Sequence, residues 1–153
     1  MANTYSKLLI HLIFVVKRRH ALIDHKWKEE LFKYTTGIIT NKHQKLLAVN
    51  AVADHMHLLM SYKPDTHLPS IVRDIKSNTS KFINENNLSR YKFEWQIGYA
   101  AFSVGHSQVD IVVNYIKNQE KHHAKKKFRD EYLEMLSSNE IDFEEKYLFS
   151  EPH

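Results

Sequence analysis

The order of apolar patterns along this chain most strongly limits the fold it can adopt. Four segments carry the continuous or alternating apolar pattern of β-strands, namely 8–16, 46–53, 55–62 and 93–104. Two segments between them, about 25–41 and 68–86, have apolar residues at helical spacing. The order strand, helix, strand, strand, helix, strand predicts an α+β, ferredoxin-like (βαββαβ) antiparallel sheet.

The C-terminal third of the chain has two further segments with helical spacing. Ser107 and Asp110 resemble a capping box with Asp in place of the usual Glu, and they predict a third helix that continues through His122. An amphipathic stretch around Phe128 and Leu136 predicts a fourth helix. We therefore predict one domain over residues 1–153, with a core at about 5–104 and a C-terminal helical part at about 107–153.

The absence of cysteine narrows the possible chemistry. With no cysteine, the chain has no disulfide, thiolate zinc site or cysteine nucleophile, and this composition fits a cytoplasmic protein. The longest apolar run, 8–16, is far too short to span a bilayer. We expect a cytoplasmic protein with no membrane partner.

The positive charge is compatible with a polyanion as partner. The formal net charge is +4, and a mildly basic protein without any nucleic-acid role would fit that value equally well. If the partner is nucleic acid, the candidate phosphate contacts are Lys17, Arg18, Arg73, Lys76 and Lys125.

His55 and His57 begin the third predicted strand. Because strand side chains alternate, the two imidazoles share one face, opposite the apolar Met56 and Leu58. A chain with 11 histidines contains roughly 0.8 such pairs by chance, so the pair alone is weak evidence. Taken alone, it favours surface or core histidines over a binding site.

Tyr115 and Gln119 lie four residues apart on the third predicted helix and therefore share a face. Val109, Val112, Val113 and Ile116 form a neighbouring apolar stripe that can anchor the helix. Two imidazoles, an amide oxygen and a phenol could bind a divalent cation and attack a phosphate. An ordinary amphipathic helix with a half-buried tyrosine is the alternative.

Several sequence blocks together resemble a known family. They are HLIFVVKRR, ADHMHLLM with its His-hydrophobic-His motif, WQIGYAAFSV, YIKNQEKHH, FRDEYLEML and IDFEEKYLF. In this order they resemble the single-tyrosine HUH transposases of small bacterial and archaeal insertion sequences that move as single-stranded DNA. The resemblance covers nearly the whole chain, and its combination of HUH and YIxxQ motifs is specific.

The resemblance implies a catalytic site and a substrate. His55, His57 and Gln119 would be metal ligands, and Tyr115 the nucleophile that forms a 5′-phosphotyrosine. The substrate would be single-stranded DNA with hairpins at the ends of the element. The resemblance also implies a homodimer in which the helix carrying Tyr115 serves the partner's site. Nitrogen and oxygen donors suit Mg²⁺ or Mn²⁺.

Two alternatives compete with a transposase. A replication or conjugation-type HUH nicking enzyme would use the same site, although such proteins usually carry extra domains and often several tyrosines. A non-catalytic ferredoxin-like module would bind nucleic acid without a metal requirement or a covalent adduct.

Overall fold

The computed structural model describes residues 4–153 and contains one four-stranded antiparallel sheet. Its helices and strands, in chain order, are β1 Leu9–Val15, α1 Lys28–Asn41, β2 Leu46–Val52, β3 His55–Ser61, α2 Leu68–Glu85, β4 Ala100–Ser103, α3 Val109–Lys117, α4 Gln119–His123 and α5 Phe128–Ser138. The strand order β2-β3-β1-β4 places β3 and β1 at the centre. Each crossover helix therefore joins strands separated by one intervening strand, which confirms the predicted ferredoxin-like topology.

One face of the sheet packs against α1 and α2. Phe14 on β1 and Met56 and Leu58 on β3 are fully buried in this main core. The stripe of α2 includes Ile75 and Ile83, both fully buried. These side chains have the helical spacing that the sequence shows, so the local pattern is sufficient to orient α2.

The second face of the sheet is covered by the C-terminal helices. Near β1 and β4, Ile13 packs in a cluster with Tyr132 of α5, and near β2 and β3, Leu59 packs in a cluster with Ile116 of α3. Both faces of the central strands are thus buried, which explains their nearly continuous apolar sequence. Along β1, the buried His11 interrupts this pattern on the second face.

The predicted fourth strand over 93–104 is wrong in its first half. β4 contains Ala100–Ser103, and the preceding segment makes one isolated bridge, between Trp95 and Val16. Gly98 has a φ of +87°, a left-handed conformation that ends extended pairing, and Ile97 is 95% exposed. The apolar alternation arises because Trp95 packs into the main core.

The third helix also differs from its prediction. It begins after a short 3₁₀ turn, His106–Gln108, without a side-chain cap, so the expected capping box from Ser107 does not form. It ends at Lys117, and Asn118 separates it from α4 instead of a continuous helix through His122. Within residues 4–153, no helix combines the length and apolar character needed to cross a membrane.

Candidate metal and tyrosine site

His55 and His57 lie side by side on the second face of the sheet, and both are fully buried. Nδ1 of His55 lies 2.7 Å from Oδ1 of Asp54, and Nδ1 of His57 lies 2.7 Å from Nε2 of His11. An imidazole whose Nδ1–H is held by such a partner presents the lone pair of its Nε2. The strand and its neighbours therefore hold both rings in an orientation in which each Nε2 could serve as a metal donor.

Gln119 reaches this pair from the start of α4. Its Nε2 donates to the backbone carbonyl of Tyr115 (3.2 Å), and its Oε1 lies 3.3 Å from Nε2 of His55. Asn50 on β2 donates to the carbonyl oxygens of Ile116 and Lys117, at 3.0 and 3.1 Å. Asn50 thereby satisfies two carbonyls at the end of α3 and fixes where Gln119 enters the site.

Tyr115 lies beside the same pair within one chain. Its ring centroid is 5.7 Å from that of His57 and 5.2 Å from that of His122. A cleft of about 380 Å³ reaches these side chains, with Tyr115, His11, His122 and Glu131 among its lining residues. Burial and the adjacent Glu131 carboxylate raise the pKa of Tyr115, so the phenol is protonated at neutral pH.

Glu131 on α5 enters the centre of this cluster, although it is only 2% exposed. Its Oε1 lies 3.0 Å from Nε2 of His57 and 3.8 Å from Nε2 of His55. Its Oε2 lies 2.8 Å from Nε2 of His123 and 3.2 Å from Nε2 of His122. Burial opposes ionisation, but the contacts with His123 and His57 hold the pKa of Glu131 below its usual range.

The donor set fits a divalent cation. His55, His57, His123 and Glu131 each offer one ligand atom, and these atoms lie within 4.8 Å of one another. Nε2 of His123 and Oε2 of Glu131 are both buried and face each other at 2.8 Å. Imidazole nitrogens with oxygen donors suit Mn²⁺ and Mg²⁺.

The family whose description reads "Transposase IS200 like" matches residues 4–119. This chain belongs to the IS200-like transposase family. The matched segment contains His55, His57, Tyr115 and Gln119, and it ends before His123 and Glu131. The resemblance drawn from the sequence blocks is therefore confirmed.

Known relatives of this transposase agree with that assignment. It is 24% identical over 118 residues to the ISDra2 transposase TnpA of Deinococcus radiodurans, covering 74% of this chain and 84% of the relative. A crystal structure of a candidate transposase from D. radiodurans R1 superposes with a TM-score of 0.63 at 22% identity, covering 78% of this chain and 95% of the other. A REP-associated tyrosine transposase bound to a REP hairpin gives a TM-score of 0.61 at 16% identity, covering 80% and 73%. These solved structures share the fold.

Sequence reasoning on this transposase missed three residues of the cluster. The sequence does contain a signal for His11, because it is the one polar residue within the apolar strand β1. His123 stands in a run of basic residues that resembles a solvated helix end. Glu131 has no local signal, because only the packing of α5 on the sheet brings its carboxylate to His57.

The five candidate phosphate contacts lie in different places on the transposase. Arg18 pairs with Glu94 at 3.0 Å, and Lys76 donates to the carbonyl oxygens of Gln96 and Gly98, at 2.7 Å each. Arg73 and Lys125 are exposed, and Lys17 is half-buried. None of the five is among the described residues that line the cleft beside Tyr115. Their contact with DNA stays a prediction.

Proposed function

We propose that this transposase cleaves and rejoins single-stranded DNA at the ends of its insertion sequence, with Tyr115 as the nucleophile. One observation carries the proposal. The Tyr115 ring lies beside His57 while the Gln119 oxygen lies beside His55, and all four residues fall within the family-matched segment. A phenol next to a cluster of metal-binding donors is the arrangement that a tyrosine-linked phosphoryl transfer needs.

In the proposed reaction, the hydroxyl oxygen of Tyr115 attacks the scissile phosphorus in line with the 3′ oxygen. The bond between phosphorus and that oxygen breaks, and a bond between phosphorus and tyrosine forms. The phenolic proton is released to solvent through the cleft, and the departing 3′ oxygen takes up a proton to become a hydroxyl. Because the phosphotyrosine retains the phosphodiester bond energy, attack by a 3′-hydroxyl rejoins the DNA without ATP.

His55, His57 and Gln119 would hold the cation, and their two imidazole nitrogens and amide oxygen suit Mg²⁺ or Mn²⁺. When bound there, a divalent cation neutralises charge on the scissile phosphate and favours the phenolate form of the nucleophile. Asp54 contacts Nδ1 of His55, and His11 contacts Nδ1 of His57. These contacts fix the orientation of both rings.

The proposed substrate is a hairpin-containing single strand. A relative with the same fold was solved bound to a REP hairpin, which supports such a partner here. The cleft beside Tyr115 has no lysine or arginine among its described lining residues. We therefore propose that basic side chains outside the cleft hold the DNA backbone, while the cleft admits the scissile segment.

Tyr115 and Gln119 lie beside the histidine pair of the same chain, and this bears on the homodimer implied by the resemblance. Ile116 on α3 is fully buried against the sheet of its own chain, and Asn50 caps the end of the same helix. These contacts favour Tyr115 acting with the histidines of its own subunit. The resemblance implies the opposite arrangement, in which α3 serves the partner subunit's site, and mixing of inactive variants distinguishes the two.

The decisive test is the covalent adduct. Single-stranded oligonucleotides from the DNA flanking the gene, labelled at the 3′ end, would be incubated with protein and Mn²⁺ and run on a denaturing gel. We expect an adduct with the wild type, none with Tyr115→Phe, and a full adduct with Tyr132→Phe, since Tyr132 lies in an apolar cluster on α5. An undiminished adduct with Tyr115→Phe would rule out this nucleophile.

A further inference from the structure

The position of Glu131 at the centre of the cluster leads to one further assignment. We propose that Glu131 is a protein ligand of the same cation, so that α5 supplies a carboxylate to the site formed by His55, His57 and Gln119. The proposal rests on the proposed function, because it takes a divalent cation at the histidine pair as given. It adds a ligand that lies beyond the family-matched residues 4–119.

The distances between donor atoms support a shared ion. Oε1 of Glu131 lies 3.0 Å from Nε2 of His57 and 3.8 Å from Nε2 of His55, and Oε1 of Gln119 lies 3.3 Å from that same His55 nitrogen. Neighbouring donors around an octahedral ion with bonds of about 2.1 Å are roughly 3.0 Å apart. These donor atoms are therefore spaced as ligands around one ion are spaced.

The burial of the carboxylate supports the same assignment. Glu131 is 2% exposed, and within residues 4–153 its ion-pair contacts are all with histidines, with no lysine or arginine among them. A buried carboxylate is costly unless a positive charge compensates it. A divalent cation between Glu131 and the histidine pair would supply that charge directly.

His123 holds the second oxygen of the carboxylate. Its Nδ1–H donates to the carbonyl oxygen of Lys126 at 2.8 Å, which anchors the ring with Nε2 only 2.8 Å from Oε2 of Glu131. The anchored ring limits rotation of the carboxylate and keeps Oε1 toward His57. His123 is thus a positioning residue for Glu131, as Asp54 is for His55.

Calorimetric titration with Mn²⁺ alone tests the assignment without any DNA. The wild type would be compared with Glu131→Gln and with Glu134→Gln, a matched change one helical turn away at a side chain that is 65% exposed. We expect Glu131→Gln to weaken Mn²⁺ binding by at least about tenfold and Glu134→Gln to leave it unchanged. Unchanged affinity in a folded Glu131→Gln protein would overturn this proposal alone, whereas no Mn²⁺ binding by the wild type would overturn the metal site of the proposed function as well.

A second measurement uses only the wild type, in case Glu131→Gln does not fold. The protein would be labelled with ¹³C at the glutamate carboxyl carbons, with unlabelled glutamine supplied, and loaded with Mn²⁺. Electron–nuclear double resonance should then show a ¹³C coupling characteristic of a directly bound carboxylate. Within residues 4–153, Glu131 is the one glutamate whose carboxylate belongs to the cluster of ligand atoms. A spectrum without this coupling would overturn the proposal.

Discussion

Nε2 of His11 lies 2.7 Å from Nδ1 of His57, and the two residues stand on neighbouring strands in the middle of the sheet. Burial and the adjacent His57 lower the pKa of His11 to about 3, and burial lowers that of His57 to about 4. Both rings are therefore neutral near pH 7 and share one hydrogen. When His57 donates it, Nε2 of His57 carries the lone pair that the proposed cation would bind, so His11 would select the tautomer that the proposed site needs.

Replacing His11 should therefore weaken metal binding although His11 is not itself a ligand. His11→Phe retains an aromatic ring but cannot accept the hydrogen from His57. We expect Mn²⁺ affinity to fall by about 10- to 100-fold, as measured by calorimetric titration. His106→Phe is the control, because His106 is exposed, bonds to Lys7 and does not belong to the cluster of possible metal ligands. Equal affinity in the His11→Phe protein would show that His57 needs no such partner.

The same pair should make the metal-free protein sensitive to mild acid. Above pH 6.5, His11 and His57 are neutral in both the folded and the unfolded chain. Between pH 6.5 and about 4, the unfolded chain binds protons that the folded chain excludes, so the free energy of unfolding falls as pH falls. Each such histidine contributes a slope of about 1.4 kcal/mol per pH unit.

Urea unfolding in EDTA between pH 8 and pH 4.5 would measure this slope. The raised pKa of His123, which its contacts with Glu131 maintain despite burial, acts in the opposite direction and reduces the total. Replacing His11 by Asn should remove one contributing group and flatten the pH dependence. Stability that rises toward pH 5 in the wild type would contradict the assignment of neutral buried rings.

The fold and half of the site were predictable because their signals are local. Alternation along β3 predicts His55 and His57 on one face with Met56 on the other, and the structure shows that arrangement. The histidine face is buried as well because the C-terminal helices cover it, which alternation alone does not predict. The anchoring stripe of α3 was equally readable, since Ile116 packs against the sheet. Periodicity along a strand or helix indicates which residues share a face, and this is enough to predict how these side chains are placed.

The other half of the candidate site depends on packing between segments that are distant in the sequence. Glu131 and His57 are brought together by α5 folding over β1 and β4, which no local pattern encodes. The sequence pattern overstates the length of β4 because Trp95 is buried without being in a strand, and its indole N–H donates to the Thr79 hydroxyl at 2.9 Å. The segment before β4 therefore shows alternating burial without forming a strand, because one isolated bridge and side-chain contacts hold its irregular backbone in place.

The exposed basic residues predict a distinct effect on DNA affinity. Arg73 and Lys125 are exposed, whereas burial lowers the pKa of Lys76 and its amine is held by two carbonyls. If Arg73 or Lys125 contacts a phosphate, its change to Ala should reduce the magnitude of the salt slope by about one unit. Fluorescence anisotropy of hairpin DNA between low and moderate salt measures the slope. Lys81→Ala is the control, because Lys81 is an exposed lysine on the same helix as Arg73. Unchanged slopes for both test variants would exclude Arg73 and Lys125 as phosphate contacts.

Two inactive variants can show whether Tyr115 serves its own subunit. Tyr115→Phe subunits and His55→Ala/His57→Ala subunits, carrying different tags, would be mixed and co-purified to establish that any dimers contain both. If Tyr115 acts on the partner's histidines, one composite site of the heterodimer has both defects and the other has none, so adduct formation returns. If Tyr115 acts within its own chain, every site has a defect and the mixture stays inactive.

The packing of α3 predicts the second result. The Tyr115 ring lies 5.7 Å from the His57 ring of the same chain, and the end of its helix is capped by Asn50 of that chain. Transfer of α3 to a partner would expose Ile116 and break the Asn50 hydrogen bonds. Both losses are unfavourable, so the partner subunit would have to provide equivalent burial and hydrogen bonds. We therefore expect no adduct from a verified heterodimer. Recovery of adduct would establish exchange of the tyrosine helix between subunits, and it would leave the assignment of Tyr115 and the two histidines intact.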